Sequence, residues 1–562
     1  MTMNNRIKTF LLVIMLMPLG MRAQQSLSVV NDSAGQLARQ LPDSMRFQVS
    51  ELRVKGPLNG ADLRVLQAIA NRQKAKQKTD CLLRLLDLRE TEIVEGKDGM
   101  KTRANVMPDR MFAGAKGLES IVLPQGIINI GSHGFDGCSS LTSVEMGSEL
   151  TEIGSFAFND CSALEQLVLP ASLLKIGEGA FNDCESLKAI SLPERTTTLG
   201  ARAFSDCKQL ESVALGSGIT ELGNSTFEDC ERLRNIELPQ GLTAIGNNAF
   251  AQCTSLDAIV IPDGVKTIGS GAFGGCQQLQ TVVVGGAGKI GSNAFRDCKS
   301  LRYIDLPSTL NDLGNNVFQD CSSLESAEIN GSIKTLPGST FQGCTSLQAV
   351  TLPSSLNAIG SEAFQDCKSL ANISLPQSLR KVGSEAFRGC TSLQAIVVPN
   401  GVTSIGSHAF RDCRALRSAD IQGFIKTLEN DLFNGCGSLA EVQLPNTIES
   451  IEGSVFEGCA SLTAFEMPIA VKSVGSSAFK GCAALQSITL STALKKVGGS
   501  AFAKCASLRN VKSNASLAPK IEKSTFKDVP VGAARLEVPK GTRNFYTVDK
   551  YWTNFGNIVE EY

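Results

Sequence analysis

Residues 161–183 read CSALEQLVLPASLLKIGEGAFND, and the spacing inside them decides the fold. Leu164, Leu167 and Leu169 form L-x-x-L-x-L, the alternation of a half-buried strand. Pro170 follows and has no N–H to give, so the ladder must stop and the chain turn. A second apolar pair, Leu173 and Ile176, leads to Gly177, Ala180 and Phe181. The same phrase returns around Leu187, Ile190 and Leu192, around Leu233, Ile236 and Leu238, and around Leu347, Val350 and Leu352. It is traceable through eighteen coils from Leu118 to Leu508, the last ending weakly at Ser513. Seventeen cysteines, Cys138 to Cys505, mark the beat: every step is 23 residues except the 22 between Cys276 and Cys298. A fixed period of this size means stacked units that share one core. The expectation is a single elongated right-handed solenoid, mainly β, with turns or short 3₁₀ segments between strands.

Each coil places a phenylalanine three residues before its cysteine, and Phe112 and Phe526 continue the column without one. Phe158, Cys161, Phe181, Cys184, Phe364 and Cys367 therefore read as core, with aromatic rings stacked along the axis. The Gly177 position holds glycine in fourteen of the seventeen cysteine coils, but Pro337, Glu429 and Glu452 fill it elsewhere. Proline fixes φ near −65°, so close packing rather than a left-handed backbone explains the glycine. Equivalent cysteines in parallel coils lie side by side at about 4.8 Å, with Cβ atoms that do not converge, which favours buried free thiols over bridges. Cys81 is off the beat and is the exception. The short coil contains Gly285-Gly286-Ala287-Gly288 and reads as a bend.

Residues 1–23 have the form of an export signal: Arg6 and Lys8, then an apolar run over 10–20 too short to span a bilayer. No cysteine follows that run closely, so a lipid-anchor signal is missing, and no later segment is apolar enough to span a membrane once the signal is removed. A secreted or cell-surface location is expected. The net charge of −1 gives no bulk attraction to nucleic acid. Cysteine spacing and two histidines supply no metal-ligand pattern, and no cofactor is expected. A nucleophile elbow, a phosphate loop and a carboxylate pair in catalytic context are all missing, so the chain does not read as an enzyme. His133 and His408 read as exposed variants of one repeat position.

The repeated phrase C-x-x-L-x-x-I-x-L-P-x-x-L-x-x-I-G-x-x-A-F resembles the BspA-like leucine-rich repeats of bacterial surface proteins. The resemblance covers about 107–528. Residues 51–73 read strand, turn, helix, and Leu83, Leu86 and Leu88 begin another trio. Together, 51–106 look like the N-terminal capping region of exported repeat proteins, and 24–50 are an irregular leader. Residues 529–562 hold the lone Trp552 and three of the four tyrosines, and look like a C-terminal cap. No immunoglobulin-like module, wall anchor or sorting domain is expected beyond it. The resemblance implies surface display, attachment to host matrix proteins such as fibronectin and fibrinogen, and co-aggregation of bacteria.

In each trio the two residues flanking the central apolar one point outward and tile a sheet face. Over eighteen coils those positions hold seven acids (Glu145, Glu237, Asp305, Glu328, Asp420, Glu441 and Glu466) and one base, Lys512. Tyr303 is the single aromatic among them and the candidate anchor. The expected partner is a protein, either an extracellular matrix component or a bacterial surface protein. Between Lys472 and Lys527 stand ten bases against one acid, which nominates Lys495, Lys496, Lys504, Arg509 and Lys512 as a basic patch. Two alternatives stay open: an acidic glycan or cell envelope bound by that patch, and a structural surface element with no specific ligand.

Overall fold

The L-x-x-L-x-L segments form short parallel strands such as Ser143–Glu145, Ala189–Ser191 and Ala258–Ile261. They lie in register from one coil to the next, as Ser212 beside Asn235 and Val213 beside Ile236 show. The structure is a computed structural model that describes residues 26–46, 48–71 and 83–561. The export-signal residues and Cys81 lie outside those described. After most strands a proline carbonyl closes a turn, accepting from Leu173 N at Pro170 (3.0 Å) and from Leu242 N at Pro239 (3.0 Å); where the proline is replaced, Gly216 O accepts from Ile219 N (3.2 Å). The second member of the next apolar pair then lies in a two-residue strand, Lys175–Ile176 or Thr198–Leu199, giving the solenoid a second parallel ladder.

The third side is built from consecutive turns, so turns and not 3₁₀ segments link the described coils. The 3₁₀ turns that are described, Val531–Ala533 and Trp552–Asn554, follow the last coil. On this side each coil donates forward: Phe158 N to Ala180 O (2.7 Å) and Asp160 N to Asn182 O (2.9 Å). Two residues per coil take left-handed backbone, here Gly179 (φ 56°) and Asp183 (φ 57°). Asp, Asn, Gly and Ser dominate these positions because they tolerate that conformation at least cost.

The Gly177 position is not one of them. A Cβ there would sit 2.5 Å from Ser155 N in the preceding coil, so crowding demands the glycine. The short coil absorbs its missing residue within 285–288. A Cβ on Gly286 would meet the Asp263 carbonyl at 2.0 Å, and the second ladder keeps its register from Thr267 to Lys289 to Asp312.

The core is one column. Phenylalanine rings stack from Phe112 to Phe526, with centroids 5.0 Å apart at Phe135–Phe158 and 5.6 Å at Phe204–Phe227. All seventeen cysteines from Cys138 to Cys505 are buried and free. Each thiol donates to the phenylalanine carbonyl of the coil before, as Cys161 Sγ does to Phe135 O (3.3 Å) and Cys253 Sγ to Phe227 O (3.1 Å). Burial pushes the Cys138 thiol up to about 12, so the reactive thiolate is suppressed.

The ends close the column. The leader is not irregular throughout: Ser26–Val30 is a strand pairing parallel with Glu51–Leu58. The reason is Asp62, buried at the start of the helix Gly60–Ala70. Its carboxylate accepts from Gly35 N (2.6 Å), Leu37 N (2.9 Å) and Asn59 N (3.0 Å), which ties 31–37 into the end structure. At the other end Trp552 and Tyr546 are fully buried beneath Phe526. Trp552 Nε1 donates to Pro519 O (2.8 Å) and Tyr546 Oη to Ala515 O (2.8 Å). Strands Arg535–Val538 and Asn557–Glu560 extend the first ladder past Asn510–Ser513.

Candidate ligand face

Burial of the central residue in each strand fixes which side chains face out. In Tyr303–Leu306 the order is exposed, buried, exposed, buried, so Tyr303 and Asp305 stand in solvent while Ile304 and Leu306 enter the core. The same rule leaves Glu145, Glu237, Glu328, Glu441 and Glu466 exposed and Asp420 half-buried. These residues lie on one face but are spread along its length.

Their surroundings differ. Glu145 lies 3.6 Å from the Arg89 guanidinium, whose stronger partner is the buried Asp87 (3.1 Å). Burial alone would raise the Asp87 carboxyl, but bonds from Arg89 and the charge of Arg53 outweigh it and hold it below its ordinary value. Asp305 accepts from Asn330 Nδ2 (2.7 Å), and Asp420 from Gln422 Nε2 (2.7 Å). Glu237, Glu328, Glu441 and Glu466 have no ion pair among the described residues. Tyr303 Oη donates to Glu325 Oε2 (2.8 Å), which holds the ring in place and pushes the phenol above its ordinary value.

The lone outward base is not free. Lys512 Nζ lies 2.7 Å from Glu561 and 3.7 Å from Glu537, so the C-terminal residues neutralise it. One base and one acid of the face are thus offset, Lys512 by Glu561 and Glu145 by Arg89, and the other six acids keep its sign.

The basic patch does not assemble. Lys496 lies on the second ladder in Lys496–Val497, with Lys495 beside it. Lys504 sits on the third side with left-handed backbone (φ 63°), and Lys512 is on the first ladder in Asn510–Ser513, with Arg509 just before it. Nine residues along a 23-residue coil carry the chain around a corner, so sequence neighbours face different ways. Lys472 and Lys480 are further removed from any patch by Glu449 (2.6 Å) and Glu457 (2.8 Å) of the coil before. On the second ladder Lys496 stands beside Lys520, lining a shallow groove of about 340 Å³ with Ser473, Ser476, Glu452 and Glu522, and on the third side Lys504 N donates to Lys527 O of the next coil (2.9 Å).

The histidines are half-buried rather than exposed. His133 stacks on Phe156 (5.3 Å) with Nδ1 2.9 Å from Asp136, and His408 lies 3.4 Å from Asp431. Among the described residues, no group of three or more His, Cys, Asp or Glu side chains is arranged to hold a metal ion. No helix among them is long and apolar enough to cross a membrane.

Sequence reasoning passed over outward apolar residues: Val168 is 85% exposed, Val260 60% and Val283 49%. The signal was legible, because AIVI at 258–261 and TVVV at 281–284 break the alternation that TSVEM keeps at 142–146. Val168 lies where the ladder is interrupted: Gln166 makes one bridge, to Ala189, and a cleft of about 430 Å³ opens beside Ser143–Glu145.

A family model described as BspA type leucine rich repeat region (6 copies) matches overlapping stretches of the chain: 105–234, 175–289, 220–337, 285–376, 313–440, 357–486 and 426–547. Among curated proteins, none matches the sequence. A leucine-rich repeat protein from Bacteroides ovatus is similar at 23% identity over 85% of this chain and 92% of that one, with a TM-score of 0.36. The leucine rich repeat protein of T. pallidum is similar at 32% identity over 31% of this chain and 77% of that one, with a TM-score of 0.27. A leucine rich cell surface protein from Faecalibacterium prausnitzii is similar at 21% identity over 70% of this chain and 87% of that one, with a TM-score of 0.29.

Proposed function

The chain belongs to the BspA-type leucine-rich repeat family, and from that premise we propose that it is an exported, non-enzymatic binding protein whose outward sheet face holds a partner protein. The partner is an extracellular matrix component or a protein on another bacterial surface. One observation carries the reading. The face repeats over many coils, in successive sheets of three to five strands, and keeps the acids Glu237, Glu328, Glu441 and Glu466 unpaired among the described residues, while its one base is neutralised by Glu561. A broad surface of that sign favours encounter with a basic protein surface and gives affinity by breadth, with an on-rate that falls as salt rises.

The test is retention of the full exported chain on immobilised matrix proteins and on acidic glycans across a salt titration. Retention on protein, weakened by salt and lost when Glu237, Glu328, Glu441 and Glu466 are all changed to Lys, supports the reading. Retention on acidic glycan, lost in Lys496→Glu with Lys520→Glu, favours the glycan alternative instead, whose support is the Lys496 and Lys520 groove. A chain that neither surface retains at micromolar concentration is a structural element.

A further inference from the structure

Resting on the protein-binding reading above, we infer that Val260, Val283 and Tyr303 form the anchoring spot of the face. The spot takes an extended segment of a partner protein that carries a large apolar side chain between two lysines or arginines. The three residues stand on consecutive strands, Ala258–Ile261, Thr281–Val284 and Tyr303–Leu306. Val260 pairs with Val283 across one interval, and Thr281 pairs with Tyr303 across the next. Tyr303 is 57% exposed, so all three are large apolar groups held in water by a rigid backbone. Exposed apolar clusters of this kind, with an aromatic at one side, are where interfaces concentrate their binding energy.

The shape is a shelf. Ala258 and Thr281 occupy the neighbouring outward row and are small, leaving room beside the tyrosine ring for a bulky side chain. The ring is pre-placed by its bond to Glu325, so little side-chain freedom is lost on contact.

Charge fixes the rest of the partner. The row that contains Val260 and Val283 has Glu237 in the coil before and Asp305 and Glu328 in the coils after. Glu237, just past the strand Asn235–Ile236 that ends the neighbouring sheet, and Asp305 stand at equivalent positions three coils apart, about 14 Å at about 4.8 Å per coil. An extended chain rises about 3.3 Å per residue, so that distance is about four residues. Alternate residues of an extended chain share a face. A segment with basic residues at its first and fifth positions and an apolar one at the third therefore sets one cation near each acid and its apolar group over the shelf. Such a segment crosses the strands and runs along the solenoid axis.

The experiment uses the full exported chain and a labelled peptide, Ser-Lys-Ser-Phe-Ser-Lys-Ser, read by fluorescence anisotropy. Saturable binding is expected, weakened about tenfold or more by Tyr303→Ala and by Val283→Ser. Asp305→Asn should flatten its salt dependence. Val397→Ser, an exposed valine on the same face in another sheet, should leave binding unchanged. Peptides with Ala for Phe, or Glu for both Lys, should not bind. Because every altered side chain is exposed, unchanged far-UV circular dichroism confirms that each variant is folded.

Peptide binding that is indifferent to Tyr303→Ala, an equal loss in Val397→Ser, or no saturable binding at millimolar peptide each overturns the inference. The broader reading fails separately: undiminished retention of the Tyr303→Ala chain on matrix protein removes the anchor but keeps the face. Retention on matrix protein that survives the fourfold acid-to-lysine change, while the native chain still binds the peptide and Tyr303→Ala weakens that binding, does the reverse.

Discussion

At the scale of single residues, two glycines separate crowding from backbone freedom. Gly177 has no left-handed φ, yet a Cβ there would press on Ser155 N at 2.5 Å, and backbone cannot swing aside as a side-chain tip can. Gly177→Ala should cost about 1–3 kcal/mol in urea denaturation, the range for overpacking. Gly437 has nothing within 4 Å and no left-handed φ, so Gly437→Ala should be neutral or stabilise by up to about 1 kcal/mol. Equal effects at both sites would show that space is not the cause. The thiols offer a second residue-scale expectation. Burial suppresses the thiolate, and each thiol is bonded to a carbonyl of the coil before, so the seventeen repeat cysteines should resist maleimide at neutral pH in the folded protein. In guanidinium without reductant all seventeen should label, and recovery of fewer than half would reveal bridges.

At the scale of one element, the turns on the third side stack like charges. Asp160, Asp183, Asp206 and Asp229 occupy equivalent left-handed positions in successive coils. Burial first, and the Asp206 charge second, raise both Asp183 and Asp229 above the ordinary aspartate value. A raised carboxyl means the folded state holds its proton more tightly than the unfolded chain, so stability is lost as pH rises through the folded value. Asp206→Asn keeps a residue suited to left-handed backbone and removes the shared charge. It should stabilise the protein by about 0.5 kcal/mol at pH 7, after allowance for solvent screening, and the gain should shrink as the pH falls toward 4. A destabilised variant at pH 7 would show that the column is held by something other than tolerated repulsion. This column was open to sequence reading, since Asp and Gly share the position before cysteine, two residue types linked by turn conformation and not by polarity. The strands and the phenylalanine column were legible because burial leaves a strict apolar spacing. The basic patch misled because linear nearness was taken for spatial nearness. In a solenoid the true neighbours are 23 apart, as Lys175 with Glu152 (2.7 Å) and Lys188 with Glu165 (2.7 Å) demonstrate.

At the scale of the whole molecule, a stack of coils is stabilised by nearest-neighbour interfaces, and an end coil has one where an inner coil has two. The aromatic cluster at the C-terminal end compensates in part: Phe526 meets Trp552 at 5.7 Å and Phe555 at 5.2 Å, and buried Tyr546 packs on Trp552 at 5.5 Å. That cluster also contains the one tryptophan of the chain, a built-in reporter on this end alone. Trp552 is fully buried and bonded to Pro519 O, so its emission should be blue-shifted in the folded state and move to the red when the end opens. Far-UV circular dichroism instead averages every coil. If nearest-neighbour coupling governs, the tryptophan transition in guanidinium should have its midpoint below the circular dichroism midpoint. Coincident curves in the native sequence would mean that the coils unfold as one cooperative unit, and that the terminal aromatics couple the last coil to the rest as strongly as the inner coils couple to one another.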